Sequence, residues 1–172
     1  MRVRRVGPDA IDDLDEVFLM GYDAWGAGLP VEMYLDSCLA SYKYKKGSFY
    51  ILEDSSGKFL SSCIAYPLSA FGGVVSERAV GIGSLATSMS ERNKGYATLL
   101  LSMLMAELER DGVDAFFIHS DIPPKLYENL GFIAAPSRVR NKSDGAVPML
   151  RLSGDREVTK ELWQELIMPS YF

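Results

Sequence analysis

The chain has 172 residues, 48% of them hydrophobic and 24% charged, with a formal net charge of -5. That balance excludes a disordered chain and shows no basic excess of the kind a nucleic-acid binder carries. Two cysteines, Cys38 and Cys63, are too few for a disulfide framework and lack metal-ligand spacing, so both are expected as free core thiols.

Taken in order, Val3 to Val6 reads as a short strand. Asp9 opens a helix whose apolar face is Ile11, Leu14, Val17, Phe18 and Tyr22. Pro30 starts a second helix, with Val31, Tyr34, Leu35, Cys38, Leu39 and Tyr42 at helical spacing and Gly47 as its stop. SFYILED and KFLSSCIAYPL flank Ser55-Ser56-Gly57 as a hairpin, and Phe71-Gly72-Gly73 breaks the chain. A third strand is expected from about Glu77 to Thr87, and a long helix runs through LLLSMLMAELER to Arg110. DAFFIH, Asp114 to His119, reads as a buried strand, and Pro124 to Asn129 as a short helix ended by Gly131. Phe132 to Asn141 and Val147 to Leu152 are the last expected strands, around Ser143-Asp144-Gly145. Asp155 to Ile167 is an amphipathic tail. The fold class is therefore α/β (α+β), a mixed sheet with helices rather than a clean βαβ repeat.

ERNKGYATLL, residues 91 to 100, puts exposed donors and positive charge at the start of an apolar helix. A helix N-terminus offers unpaired N–H groups and partial positive charge, so it holds an anion through amides. Gly95 and the small Ala97 let backbone approach such an anion, and Arg92 and Lys94 add charge at the rim. The stretch reads as a phosphate cradle. It is not a Walker loop, whose string is absent. The dinucleotide-like Gly81-Ile82-Gly83-Ser84-Leu85-Ala86 lies in an expected strand and reads as two strand glycines, one at a bulge.

Arg92-x-x-Gly95-x-Ala97 resembles the pyrophosphate loop of the GNAT superfamily of acyl-CoA-dependent N-acyltransferases. Leu126-Tyr127-Glu128-Asn129-Leu130-Gly131-Phe132 resembles that family's later signature. The resemblance implies a mostly antiparallel central sheet with a splayed parallel strand pair, flanked by helices, plus a C-terminal helix. It implies acetyl-CoA as cosubstrate, no metal, and transfer of an acetyl group to a primary amine by direct attack in a ternary complex. The alternative is an acyl-CoA-binding sensor or module with little or no turnover.

Carried over residue by residue, the loop amides Asn93, Lys94, Gly95, Tyr96, Ala97 and Thr98 would hold the pyrophosphate, with Arg92 at the edge. Leu85, Ala86 and Thr87 would pair with the pantetheine arm, and the splayed strands are those ending at Thr87 and His119. Tyr127 would be the general acid on the departing thiolate. Ser120 stands where the family often has an asparagine on the CoA arm. The central strand lacks the carboxylate some members use as base, which leaves Glu77, earlier on the same face as Gly81, as the candidate base. His119, the one histidine, and Asp121 border the implied cleft, and Trp25 with Gly26-Ala27-Gly28 is a candidate acceptor-site lid.

The resemblance covers residues 1–154 as a single domain, with 155–172 a helical extension of it. Leu162, Trp163, Leu166 and Ile167 in that extension need cover, from the chain's own sheet or from a second copy in a homodimer. The expected setting is cytoplasmic, with no signal peptide, membrane span or nucleic-acid partner.

Overall fold

The computed structural model describes residues 1–68, 78–137 and 145–166. Its strands are β1 (Arg2–Arg5), β2 (Ser48–Glu53), β3 (Phe59–Pro67), β4 (Ala79–Thr87), β5 (Ala115–Ser120), β6 (Ile133–Ala134) and β7 (Val147–Leu152). Its helices are α1 (Ile11–Leu19), α2 (Tyr22–Trp25), α3 (Val31–Ala40), α4 (Tyr96–Arg110), α5 (Lys125–Glu128) and α6 (Lys160–Glu165). The strands form one seven-stranded sheet in the order β1-β2-β3-β4-β5-β7-β6. It is mostly antiparallel, with β4 and β5 the parallel pair, and helices flank it, as the resemblance implies.

The chain divides into two compact units, Met1–Ala65 with Ser84–Met105, and Tyr66–Gly83 with Ala106–Phe172. In the first, β1 and β2 pair from Arg2↔Glu53 to Arg5↔Tyr50, and β2 and β3 from Ser48↔Ala65 to Glu53↔Phe59. β3 is buried along all but its last residue, the pattern of a strand covered on both faces. Ile51, Leu52, Cys63, Ile64, Leu100, Leu101 and Leu104 are fully buried and form the core of this unit. Each such apolar side chain contributes about 1.5–3 kcal/mol on burial, and truncating one, as in Leu104→Ala, removes about 2–5 kcal/mol. Leu14, Val17 and Phe18 on α1 are its buried face. Asp13, in the first turn of α1, accepts from Arg4 at 2.8 Å. Glu53 is only 3% exposed, and its carboxylate is held by Arg2 and by Arg4.

In the second unit, β4 and β5 pair from Ala79↔Ala115 to Ile82↔Ile118. β5 then pairs antiparallel with β7 over its whole length, from Ala115↔Leu152 to Ser120↔Val147. Phe116, Phe117, Phe132, Met149 and Leu150 are the buried centre. Arg151 crosses the Phe116 ring at 5.6 Å and reaches Glu109 at 2.5 Å. α6 starts at Lys160 because the Thr159 hydroxyl accepts the Leu162 N–H at 3.2 Å, an N-cap that satisfies one orphan donor of the first turn. Trp163 is 3% exposed within the single chain.

Some expectations shift. The helix opened by Asp9 begins at Ile11, and it does not carry on to Tyr22; the chain breaks at Met20–Gly21 and restarts as α2. A Cβ on Gly21 would lie 2.1 Å from the Trp25 ring, so a larger residue there would have to displace that ring. α3 ends at Ala40 because Ser41 turns to an extended conformation, which leaves Tyr42 74% exposed rather than on a buried face. Gly47 instead closes a separate 3-10 turn over Tyr44–Lys46. β6 is two residues long, and the rest of the expected strand from residue 138 lies outside the described residues. The expected tail helix from Asp155 starts five residues later, and Ile167 also lies outside the described residues. Both cysteines are buried and free, as expected.

Candidate functional site

The predicted cradle follows β4. After Thr87 the chain makes a 3-10 turn over Met89–Glu91, then enters α4 at Tyr96. Two residues on the way have left-handed backbone, Asn93 at φ 63° and Gly95 at φ 81°. Alternation of this kind turns successive amides toward one side and makes a concave anion seat. Among the described residues, the amides from Asn93 to Thr98 donate to no backbone carbonyl. The first tie of the helix is Leu99 N–H to the Gly95 carbonyl at 3.0 Å. A Cβ built on Gly95 would meet no atom within 4 Å, so the space in front of it is open. The loop residues therefore fit an oxyanion group of phosphate type.

The charge around the loop is arranged by Glu91. This largely buried carboxylate accepts from Lys58 at 2.6 Å and from Lys94 at 2.8 Å. Those ammonium groups pull its pKa down to about 2. Two ammoniums against one carboxylate leave the loop rim net positive, so Glu91 fixes Lys94 without repelling an anion. Sequence reading missed this pair because Lys58 belongs to the turn between β2 and β3.

Arg92 behaves differently from the expectation of a free rim charge. Its guanidinium lies on Asp23 at 2.7 and 2.8 Å, and it donates to the carbonyls of Met20 at 3.3 Å and Thr87 at 3.0 Å. It clamps α2 to the end of β4. A cavity of about 290 Å³ opens beside the clamp, lined also by Glu16, Tyr22, Ser88 and Met89.

Leu85, Ala86 and Thr87 form the last part of β4. The Ala86 carbonyl accepts from the Ser61 hydroxyl at 2.6 Å, and Ser88 N–H donates to Leu60 at 3.1 Å, so these peptides face β3. Strand alternation then turns the peptide groups of Leu85 and Thr87 the other way. The parallel ladder with β5 ends at Ile82↔Ile118, while β4 runs on to Thr87. Ser84, two residues past the ladder, has φ 45°, a left-handed conformation rare for a non-glycine residue inside a strand. The irregularity follows Gly83 of the glycine pair, and no helix opens within the dinucleotide-like string.

In the second unit, Ser120 is buried at the end of β5, and its hydroxyl donates to the Ile122 carbonyl at 2.7 Å. Tyr127 lies on α5, buried, with its ring edge-on to Phe132 at 6.1 Å. Its carbonyl accepts from Leu130 and Phe132 N–H groups, which folds the Tyr127–Phe132 signature into one tight turn. His119 is half-buried on β5 opposite Pro148. Glu77 lies outside the described residues. Among the described residues no group of three or more His, Cys, Asp or Glu could hold a metal ion, and no helix is long and apolar enough to cross a membrane.

The fold is similar to a GNAT family N-acetyltransferase from Escherichia coli (YhbS) solved in complex with CoA, with a TM-score of 0.65 at 16% identity over 96% of this chain and 85% of that one. It is similar to aminoglycoside 6'-acetyltransferase type Ii, with a TM-score of 0.62 at 15% identity over 91% and 100% of the two chains. A GNAT family acetyltransferase from Brucella melitensis in complex with acetyl-CoA aligns with a TM-score of 0.58 at 15% identity over 91% and 90%. Among curated proteins, none matches the chain. Residues 10–135 match the acetyltransferase (GNAT) domain family. With nearly three quarters of its length in that match, the chain belongs to the GNAT acetyltransferase family.

Proposed function

We propose that the chain is an acetyl-CoA-dependent N-acetyltransferase that acetylates a primary amine by direct attack in a ternary complex. The observation that carries this reading is the amide seat from Asn93 to Thr98, open in front of Gly95 and placed directly after β4 in a GNAT domain. Acetyl-CoA supplies the activated acyl group as a thioester. The seat amides hold its pyrophosphate, with Lys94 adding charge. The outward peptide group of Leu85 and the outward N–H of Thr87 pair with its amide-bearing arm as a strand would. Arg92 supports the seat by fixing Asp23 and the Thr87 carbonyl.

The acceptor amine attacks as the neutral base. Its lone pair forms the new C–N bond, the C–S bond breaks with its electron pair on sulfur, and the amine's surplus proton passes to solvent. Tyr127 delivers the proton the thiolate takes up. Alignment of the two reactants supplies much of the rate, since positioning alone is worth about 7–11 kcal/mol.

The second reading, an acyl-CoA-binding module with little turnover, draws on Ser120, whose hydroxyl proton is committed to Ile122 rather than to a ligand. One assay separates the two. Calorimetric titration with acetyl-CoA, followed by CoA release in the presence of alkylamines, polyamines and amino-acid amides, shows binding with turnover for the enzyme and binding alone for the module. Absence of acetyl-CoA binding defeats both. The burial of Trp163 within one chain supports a self-packed tail over a homodimer, and light scattering of the full chain tests that.

A further inference from the structure

We infer that Tyr44 is a catalytic residue, its phenol donating a hydrogen bond to the thioester carbonyl oxygen as that oxygen becomes negative; this rests on the acetyl-transfer reading above.

The position of the reacting group follows from β4. With the pyrophosphate on the seat after Thr87, the arm must run back along Thr87, Ala86 and Leu85. It can follow β4 only as far as the strand is unpaired, and the ladder to β5 closes at Ile82↔Ile118. The reactive end therefore falls at Gly83–Ser84. That is where the strand departs from regular geometry, at Ser84 with φ 45°. A local irregularity of this kind re-aims a side chain, and strained residues persist where the surroundings hold them.

Ser84 is re-aimed at Tyr44. Its hydroxyl lies 3.5 Å from the phenol oxygen and donates to it, a long contact, and among the described residues the phenol's own proton has no acceptor. The ring cannot wander. It stacks on Phe18 at 5.7 Å and meets Phe49 edge-on at 5.4 Å. The 3-10 turn that carries it is tied by Ser41, whose hydroxyl accepts the Tyr44 N–H at 3.3 Å. Burial raises the phenol pKa above its ordinary 10, so it stays a donor at neutral pH. A fixed, half-buried O–H beside the reacting carbonyl, further polarised by a donated hydrogen bond, is the arrangement that stabilises a tetrahedral oxyanion.

In the step, the amine lone pair adds to the carbonyl carbon and the C=O π pair moves to oxygen. Tyr44 donates a hydrogen bond to that oxygen and keeps its proton. The oxygen pair then re-forms C=O and expels sulfur with its electrons.

The test uses the full chain and carbonyl-labelled acetyl-CoA. Bound to the wild type, the thioester C=O stretch shifts to lower frequency than in solution, and Tyr44→Phe abolishes most of that shift. With the best amine of the panel, Tyr44→Phe lowers kcat about a hundredfold, with acetyl-CoA affinity little changed. The phenylalanine keeps both ring contacts, and Ser84→Ala, which removes only the donor to the phenol, gives a smaller loss of the same kind. A folded Tyr44→Phe or Ser84→Ala protein that binds acetyl-CoA with an unchanged carbonyl band and unchanged turnover overturns the assignment and leaves the acetyl-transfer reading standing. A wild-type chain that does not bind acetyl-CoA overturns both.

Discussion

Arg92 and Asp23 face each other as a two-point ion pair, with guanidinium nitrogens 2.7 and 2.8 Å from the two carboxylate oxygens. Asp23 belongs to α2 and Arg92 to the loop after β4, so the pair ties a four-residue helix to the entrance of α4. The guanidinium also holds the pKa of Asp23 below the usual carboxylate range.

Arg92→Ala should therefore act on structure first. It removes the pair and two carbonyl contacts, and Tm should fall by about 2–4 °C. Affinity for CoA should fall only a few-fold, because the amides remain. Arg92→Lys should recover charge but not the two-point geometry, and so little of the Tm. Thermal melts alongside calorimetric titration read the two effects apart. A hundredfold loss of affinity without loss of Tm would place the side chain on the phosphate instead.

Gly95 separates backbone strain from ligand space. At φ 81° an L side chain other than asparagine or aspartate costs about 1–2 kcal/mol, although among the described residues nothing obstructs a Cβ there. Gly95→Val should lose both stability and CoA affinity. Gly95→Asn, which tolerates the left-handed region, should keep the stability and still lose affinity more than tenfold, since its side chain fills the seat. Unchanged affinity in a folded Gly95→Asn protein would show that no anion sits there.

Glu91 gives the chain a pH dependence with a definite sign. Its folded pKa of about 2 lies below the ordinary 4.5, through Lys58 first and Lys94 second, with burial opposing. Its contribution to stability is thus fully present above about pH 4.5 and is lost as pH falls toward 2. Glu53, lowered by Arg2 and Arg4, adds in the same direction. Urea unfolding between pH 2 and 6 should show this slope, and Glu91→Gln should flatten it without removing it.

Tyr127→Phe keeps the ring against Phe132 and removes only the hydroxyl. If that hydroxyl protonates the departing thiolate, kcat should fall about a hundredfold with little change in the KM for acetyl-CoA. Steady-state kinetics on one good amine decide it. Wild-type turnover in the variant would assign the proton to water or another group.

What the sequence made legible was local. The start of α4 was visible because Gly95 precedes an apolar run at helical spacing. The hairpin of β2 and β3 was visible because Ser55-Ser56-Gly57 separates two apolar runs. What it hid depended on contacts between distant residues. Arg92 looked like free charge because Asp23 lies 69 positions earlier. Glu91 carries no role in the sequence because its partner Lys58 lies 33 positions earlier. The helix face that seemed to include Tyr22 is cut at Gly21, where the Trp25 ring occupies the place of a side chain. The turn of Ser84 was hidden for a different reason: a left-handed serine in a strand is set by its surroundings and has no composition of its own.

The two cysteines acquire a meaning from the proposed chemistry. Cys63 is completely buried, its thiol pushed up to about 12, and Cys38 is buried on α3 with its thiol also raised. Disulfide exchange requires a thiolate that can reach its target. On the proposed chemistry, which releases one free thiol per turnover, the chain offers no accessible thiolate of its own with which that product could form a mixed disulfide. Intact-mass measurement after incubation with CoA disulfide should show no adduct on the native chain, and adducts on both cysteines once urea unfolds it.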